Sequence, residues 1–258
     1  MVSRVIKMAF WVTYDHLGKL MLAGLLWSSL AGIPGYLAIE ALLSPSEAIR
    51  LALGIPLALF ACVAGVPMGA AAAAEMVKEL IDTRDGSVGT FLEGLRKHAV
   101  SATALGAVYG FVAASLAASV WFYPAVIGPR IPMLGYALGA IALWLLVFAG
   151  MTALMVMPVL VQRKGRIVAT VKLAAVLVLA NPGLALALTV QAVCWTVFCL
   201  LVPPLLVVLY GPCLVVLGSS AYEMLSRKYN AGEAGETADR NDDYLNRGLR
   251  DFFFPWKG

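Results

Sequence analysis

The Lys and Arg residues of this 258-residue chain are sorted, and that sorting constrains the fold more than any other feature. Seventeen of the 19 fall in alternate gaps between long runs that hold no charged side chain: 20–39, 51–74, 99–129, 131–162 and 173–222. A bilayer core about 30 Å thick is crossed by about 20 apolar residues in a helix. Four of the runs match one crossing each. The fifth is long enough for two, with Pro203-Pro204 as the turn between them. Basic residues collect on the cytoplasmic side of membrane spans. Arg4, Lys7 and Lys19 lie on one side, with Lys78, Arg84, Arg96 and Lys97, then Arg163, Lys164, Arg166 and Lys172, and finally the six basic residues from Arg227 onward. Only Arg50 and Arg130 fall on the other. The pattern predicts an all-α, polytopic membrane helix bundle of about six spans. Both termini are expected in the cytoplasm of a bacterium, and the spans in its cytoplasmic (inner) membrane.

Composition agrees. The chain is 61% hydrophobic and 13% charged, against about 25% charged in soluble domains. The net charge of +4 does not describe a nucleic-acid surface, because the charges flank spans and form no continuous patch. The expected partners are the lipid bilayer and another membrane or cytoplasmic-face protein, with no nucleic acid. Residues 8–19 include Asp15, His16 and Lys19, which a signal-peptide core would lack, so the N-terminal segment reads as retained. Cys62, Cys194, Cys199 and Cys213 all fall inside predicted spans, with no Cys-x-x-Cys spacing and no His nearby in sequence. They read as small apolar fillers, and no cofactor or metal is expected.

Residues 1–228 are expected to form the membrane domain, 229–243 a polar linker and 244–258 an amphipathic aromatic anchor. Within the first, residues 3–16 read as an interfacial helix. Span 1 (about 17–43) is expected to kink or unwind at Gly32-Ile33-Pro34-Gly35. Ser44-Pro45-Ser46-Glu47 reads as a helix start with Ser44 as cap. Span 2 then runs to about Ile81, its last residues 76–80 projecting from the bilayer. Thr90-Phe91-Leu92-Glu93 reads as a second cap, opening a short surface segment before span 3 (about 98–123). Span 4 covers about 131–162. Asn181-Pro182 restarts a helix for span 5 (182–202), and span 6 covers about 204–227. His16, His98 and Asn181 fall about 82 and 83 residues apart, each before a span. With Pro67, Pro158 and Pro212 in the second spans, this suggests three repeated units of a surface helix plus two spans.

Two sets of residues are candidates for function. Proline and glycine breaks at Pro34, Pro67, Pro158 and Pro212, with the polar Asn181 and Gln191, can mark helices opened around a cavity. Trp11, Tyr14, His16, Phe91, Arg96, Tyr244, Arg247, Arg250 and Trp256 combine aromatic and basic character near the cytoplasmic surface, a set suited to docking. Three Gly-x-x-x-Gly matches, Gly65/Gly69, Gly106/Gly110 and Gly135/Gly139, are expected to pack spans of the one chain together. No acid–base pair, nucleophile or metal cluster accompanies the two histidines, which read as solvated helix ends, and no phosphate-binding glycine loop is present.

Several short stretches resemble the YesL-like family, a bacterial group of multi-span membrane proteins of unknown function. They are Tyr14-Asp15-His16-Leu17-Gly18, Leu25-Leu26-Trp27, Ile33-Pro34, Phe91-Leu92-Glu93-Gly94-Leu95-Arg96, Trp121-Phe122-Tyr123 and Leu179-Ala180-Asn181-Pro182. The chain departs from the family in its acidic linker and in Asp251-Phe252-Phe253-Phe254-Pro255-Trp256. The resemblance implies a helical membrane domain and an association with carbohydrate uptake, and it carries no catalytic residues. The expected function is therefore that of a non-enzymatic accessory or scaffold subunit for a membrane-associated partner such as a solute-uptake system. The alternative is a small-solute permease built on the Pro/Gly breaks.

Overall fold

The apolar runs fold as helices, because a backbone in lipid must satisfy its polar groups within the segment. The computed structural model describes residues 1–163, 166–229 and 244–247, which are helical throughout apart from connections, with no strand among them. The helices are α1 (Val2–Asp15), α2 (Leu17–Leu42), α3 (Glu47–Asp82), α4 (Val88–Ile127), α5 (Pro132–Arg163), α6 (Ile167–Ala180), α7 (Pro182–Leu201), α8 (Pro203–Val208) and α9 (Tyr210–Tyr229). Five of them, α2, α3, α4, α5 and α7, are long and apolar enough to cross a membrane. The segment expected as span 6 is divided at Leu209 into α8 and α9, and the end of α9 carries Glu223, Arg227 and Lys228.

Helix starts depart from the sequence reading by small steps. At the 44–47 start the N-cap position is Ser46, whose side chain makes no capping hydrogen bond, while Ser44 Oγ accepts the Ser46 amide at 3.3 Å in a local turn. The capping box near residue 90 belongs to Ser87, with Thr90 as its third-position partner, so α4 begins at Val88. It runs unbroken through His98. The chain does break at His16 and Asn181, where neither residue is helical, and α1 and α6 are separate lead-in helices. Two of the three repeat markers are therefore helix boundaries and the middle one is not.

The prolines do not unwind their helices. Pro34, Pro56 and Pro67 each follow a π-helical turn, at Ser28–Gly32, Arg50–Gly54 and Phe60–Gly65, and Pro124 lies within another at Tyr123–Ile127. A wide turn makes room for a ring that would clash with the preceding backbone. Proline also leaves the carbonyl four residues earlier without its helical donor. In five cases a glycine of a neighbouring helix covers that carbonyl. A Cβ on Gly65 (α3) would lie 3.0 Å from Leu30 O, behind Pro34. A Cβ on Gly106 (α4) would overlap Val63 O, behind Pro67; one on Gly218 (α9) would overlap Leu154 O, behind Pro158; one on Gly24 (α2) would overlap Val208 O, behind Pro212. A Cβ on Gly139 (α5) would lie 3.6 Å from Val120 O and 2.8 Å from the Pro124 ring. The contacts run α2 to α3 to α4 to α5 to α9 and back to α2, a closed ring of five proline–glycine clasps. Glycine lets backbones approach closely, and its Cα–H can face an orphaned carbonyl.

The core sits at one end of this ring. It joins Val5, Met8, Trp11 and Val12 of α1 to Met76, Val77 and Leu80 of α3, Phe91 of α4, Val156, Val159 and Leu160 of α5, and Val216, Ala221 and Leu225 of α9. Within the 76–80 stretch expected to project from the bilayer, Met76, Val77 and Leu80 are buried in this core, while Lys78 and Glu79 are half-buried. The first part of α4 and helix α9 pack along this half of α3, and α1 packs on α9 in the same core.

Candidate functional site

Between α2, α3, α5 and α8–α9, beside Pro158 and Pro212, lies a half-open cavity of about 490 Å³. It is walled by α2 (Gly24, Trp27, Ser28), α3 (Val66, Ala70), α5 (Leu154, Met157, Pro158) and α8–α9 (Val207, Tyr210, Pro212). Trp27 forms one wall because Gly69 and Gly211 leave room for its indole, and a Cβ on either would strike the ring. The wall has no charged side chain. Its hydroxyl groups are that of Ser28, which donates to Val207 O at 2.5 Å, and that of Tyr210, which receives a hydrogen bond from Thr196 at 3.4 Å. Such a chamber suits an uncharged, mainly apolar molecule.

The structure places the predicted break residues unevenly. Pro158 and Pro212 line the cavity; Pro34 and Pro67 belong to the ring but only their neighbours Gly32 and Val66 reach it. Gln191 is exposed on α7 and belongs to no site. Asn181 sits at the α6–α7 break, where its amide donates to the Tyr229 hydroxyl at 3.0 Å and its carbonyl oxygen accepts from Lys228 at 2.9 Å. It pins the α6–α7 corner to the end of α9.

The predicted docking set divides in the same way. Trp11, Phe91 and Tyr244 are buried, so they are core residues and offer no surface to a partner. On α1 the outward stripe is Ile6, Phe10 and Tyr14, continuing as Leu17 and Met21 on α2, with the Phe10 and Tyr14 rings stacked at 6.2 Å. Arg96 is exposed. Arg250 and Trp256, together with residues 230–243 of the expected linker and 248–258 of the expected anchor, lie outside the described residues. The described part of the anchor, 244–247, packs on protein. The Tyr244 hydroxyl and His16 Nε2 share a hydrogen bond at 3.3 Å, Lys7 donates to Leu245 O at 2.5 Å, and Arg247 pairs with Asp15 at 2.6 Å. The Arg247 guanidinium also lies 5.3 Å from the Trp11 ring.

Sequence reading missed a second polar cluster. Glu75 of α3, buried in the core end, pairs with Lys97 and meets His98 Nε2 at 3.3 Å. One turn later Glu79 accepts from the Thr90 hydroxyl at 2.7 Å. His98 is thus a buried partner, not a solvated helix end. Gly94 permits the close approach, since a Cβ there would lie 2.8 Å from that of Glu75. The cluster holds α3 to α4. Among the described residues no group of three His, Cys, Asp or Glu side chains is placed to hold a metal, and the four cysteines are unpaired. His16, at the α1–α2 junction, has a displaced equilibrium. Burial lowers its pKa below the ordinary 6.5, and Lys19, Arg84 and Arg247 lower it further against the opposing pull of Asp15.

Comparisons with protein families, with curated proteins and with solved structures find no match.

Proposed function

We propose that the chain is a permease-type protein of the bacterial cytoplasmic membrane, non-enzymatic, holding a small uncharged solute between α2, α3, α5 and α8–α9. The cavity of about 490 Å³ carries this reading. Pro158 and Pro212 line it, and the helix division at Leu209 lies three residues before Pro212; discontinuous helices are where transporters hold their solutes. A sixth crossing by α8–α9 is part of the proposal, supported by the place of Gly218 and Val208 in the ring. Cytoplasmic termini are also part of it, supported by the sorted Lys and Arg residues. Membership of the YesL-like family is proposed on the short stretches that resemble it.

Native mass spectrometry of the full chain released from nanodiscs tests the reading. The expected result is a bound small molecule that is lost in Ala70→Trp, which fills the cavity. A bare unsubstituted chain, or equal retention in A70W, contradicts it.

A second reading, an accessory subunit docking a partner at the cytoplasmic face, is favoured by the exposed Phe10, Tyr14 and Arg96. It predicts a stoichiometric protein copurifying in mild detergent, lost in an Arg96→Glu variant. A chain that runs alone removes this reading.

A further inference from the structure

The 244–247 segment is held against the α1–α2 corner by contacts from three parts of the chain. From α1 come Lys7, donating to Leu245 O, Trp11, under the Arg247 guanidinium, and Asp15, paired with Arg247. From the junction comes His16, bonded to Tyr244. From the turn after α3 comes Arg84, whose guanidinium lies 5.0 Å from the Tyr244 ring. Tyr244 is completely buried in this corner. These partners are more than 150 residues away in sequence, so the corner is a docking groove whose occupant is the chain's own tyrosine–arginine segment.

We infer that this docking is a proton-released latch: the Tyr244–Arg247 segment holds while His16 is neutral and leaves when His16 takes up a proton. The charges around the imidazole decide the sign. Among the described residues, Lys19 of α2, Arg84 of the turn and Arg247 of the segment itself face it as cations, and Asp15 of α1 faces it as the one anion. A proton on His16 adds a fourth positive charge to a partly buried site. Release of the segment returns the imidazole to water and removes Arg247 from its side. Docking and protonation therefore oppose one another, and linkage makes the opposition reciprocal. The neutral form is favoured by docking, so the docked state is fully held above the ordinary histidine value of 6.5. It is lost as pH falls below that value and through the lowered one. Release uncovers Trp11 and Asp15, an aromatic ring beside a carboxylate.

Pulsed electron paramagnetic resonance on the full chain in nanodiscs reads the latch directly. Spin labels are placed at Asn246→Cys and Val168→Cys, in a background with the four native cysteines replaced. One narrow distance population is expected at pH 7.5. At pH 5.0 that population is lost and a broad, longer one replaces it. His16→Gln keeps a neutral side chain that can still accept from Tyr244, and it is expected to retain the narrow population at both pH values. A distribution that does not change with pH overturns the inference, as does an H16Q variant that responds like the unsubstituted chain. The chain with its native cysteines supplies a second readout, trypsin cleavage after Arg247 at pH 5.5. Cleavage several-fold faster than in H16Q at the same pH supports the latch, and equal rates contradict it.

Discussion

Helix α4 is two environments in one continuous rod. From Val88 to Gly106 its buried positions are Thr90, Phe91, Gly94, His98, Ala102, Leu105 and Gly106, spaced for one helical face. From residue 107 to Phe122 none of its residues is buried, and Phe111 and Trp121 stand out from the protein. The same division runs through the neighbouring helices: α3 buries its second half and α5 its last third. Apolar side chains fill both halves. In the first they contact other helices of the chain, and in the second they face outward. Lipid tails are as apolar as leucine, so hydrophobicity holds a side chain in the membrane without telling it which neighbour to choose. Shape and polar partners make that choice, and both are concentrated at the end with Glu75, His98 and the α1 lead-in.

Matched substitutions break or sharpen this comparison, each measured by thermal unfolding of the full chain in nanodiscs. The largest contrast is Phe91→Ala against Phe111→Ala. The first removes a buried core ring and is expected to destabilise by about 3–5 kcal/mol, whereas the second leaves the melting temperature nearly unchanged. Equal shifts would erase the division. Gly106→Val against Gly110→Val is next. A side chain at 106 strikes Val63 O and the Pro67 ring, while nothing lies within 4 Å of one at 110. The expected loss is about 1–3 kcal/mol for G106V, as for other overpacked sites, and none for G110V. Glu75→Gln keeps the shape but removes the charge beside Lys97 and His98, for an expected loss of about 1–2 kcal/mol. An unchanged melting temperature would mean the cluster does not hold α3 to α4. Arg247→Gln is the smallest, below about 1 kcal/mol because the Arg247–Asp15 pair is partly exposed.

Much of the helix order was legible because hydropathy sets helix length and position: α5 and α7 match their expected limits within one residue. Which face of a helix meets protein was not. On α1 the sequence offers two aromatic positions side by side, Phe10 and Trp11, and no local signal says that Trp11 turns inward to pack beneath Arg247. Phe91 and Tyr244 are amphipathic-looking in sequence and buried in the fold for the same reason, since their partners lie on distant segments. The prolines were visible as breaks. Their outcome depended on glycines one helix away, and only the fold pairs Pro158 with Gly218 or Pro212 with Gly24. The division at Leu209 and the continuity of α4 through His98 likewise depend on neighbours. The Gly-x-x-x-Gly matches were legible as packing sites and serve within the chain, with Gly110 as the open member.

The proposed function requires a single orientation in the bilayer, with the packed end of the ring and its basic residues on the cytoplasmic side. Cysteine labelling with an impermeant maleimide in sealed, oriented vesicles tests it most directly, using Asp85→Cys and Arg166→Cys on one side and Ser44→Cys and Arg130→Cys on the other. The account predicts that 85 and 166 label only from the cytoplasmic face and that 44 and 130 label only from the opposite face. Labelling of 85 and 166 from different faces would contradict it.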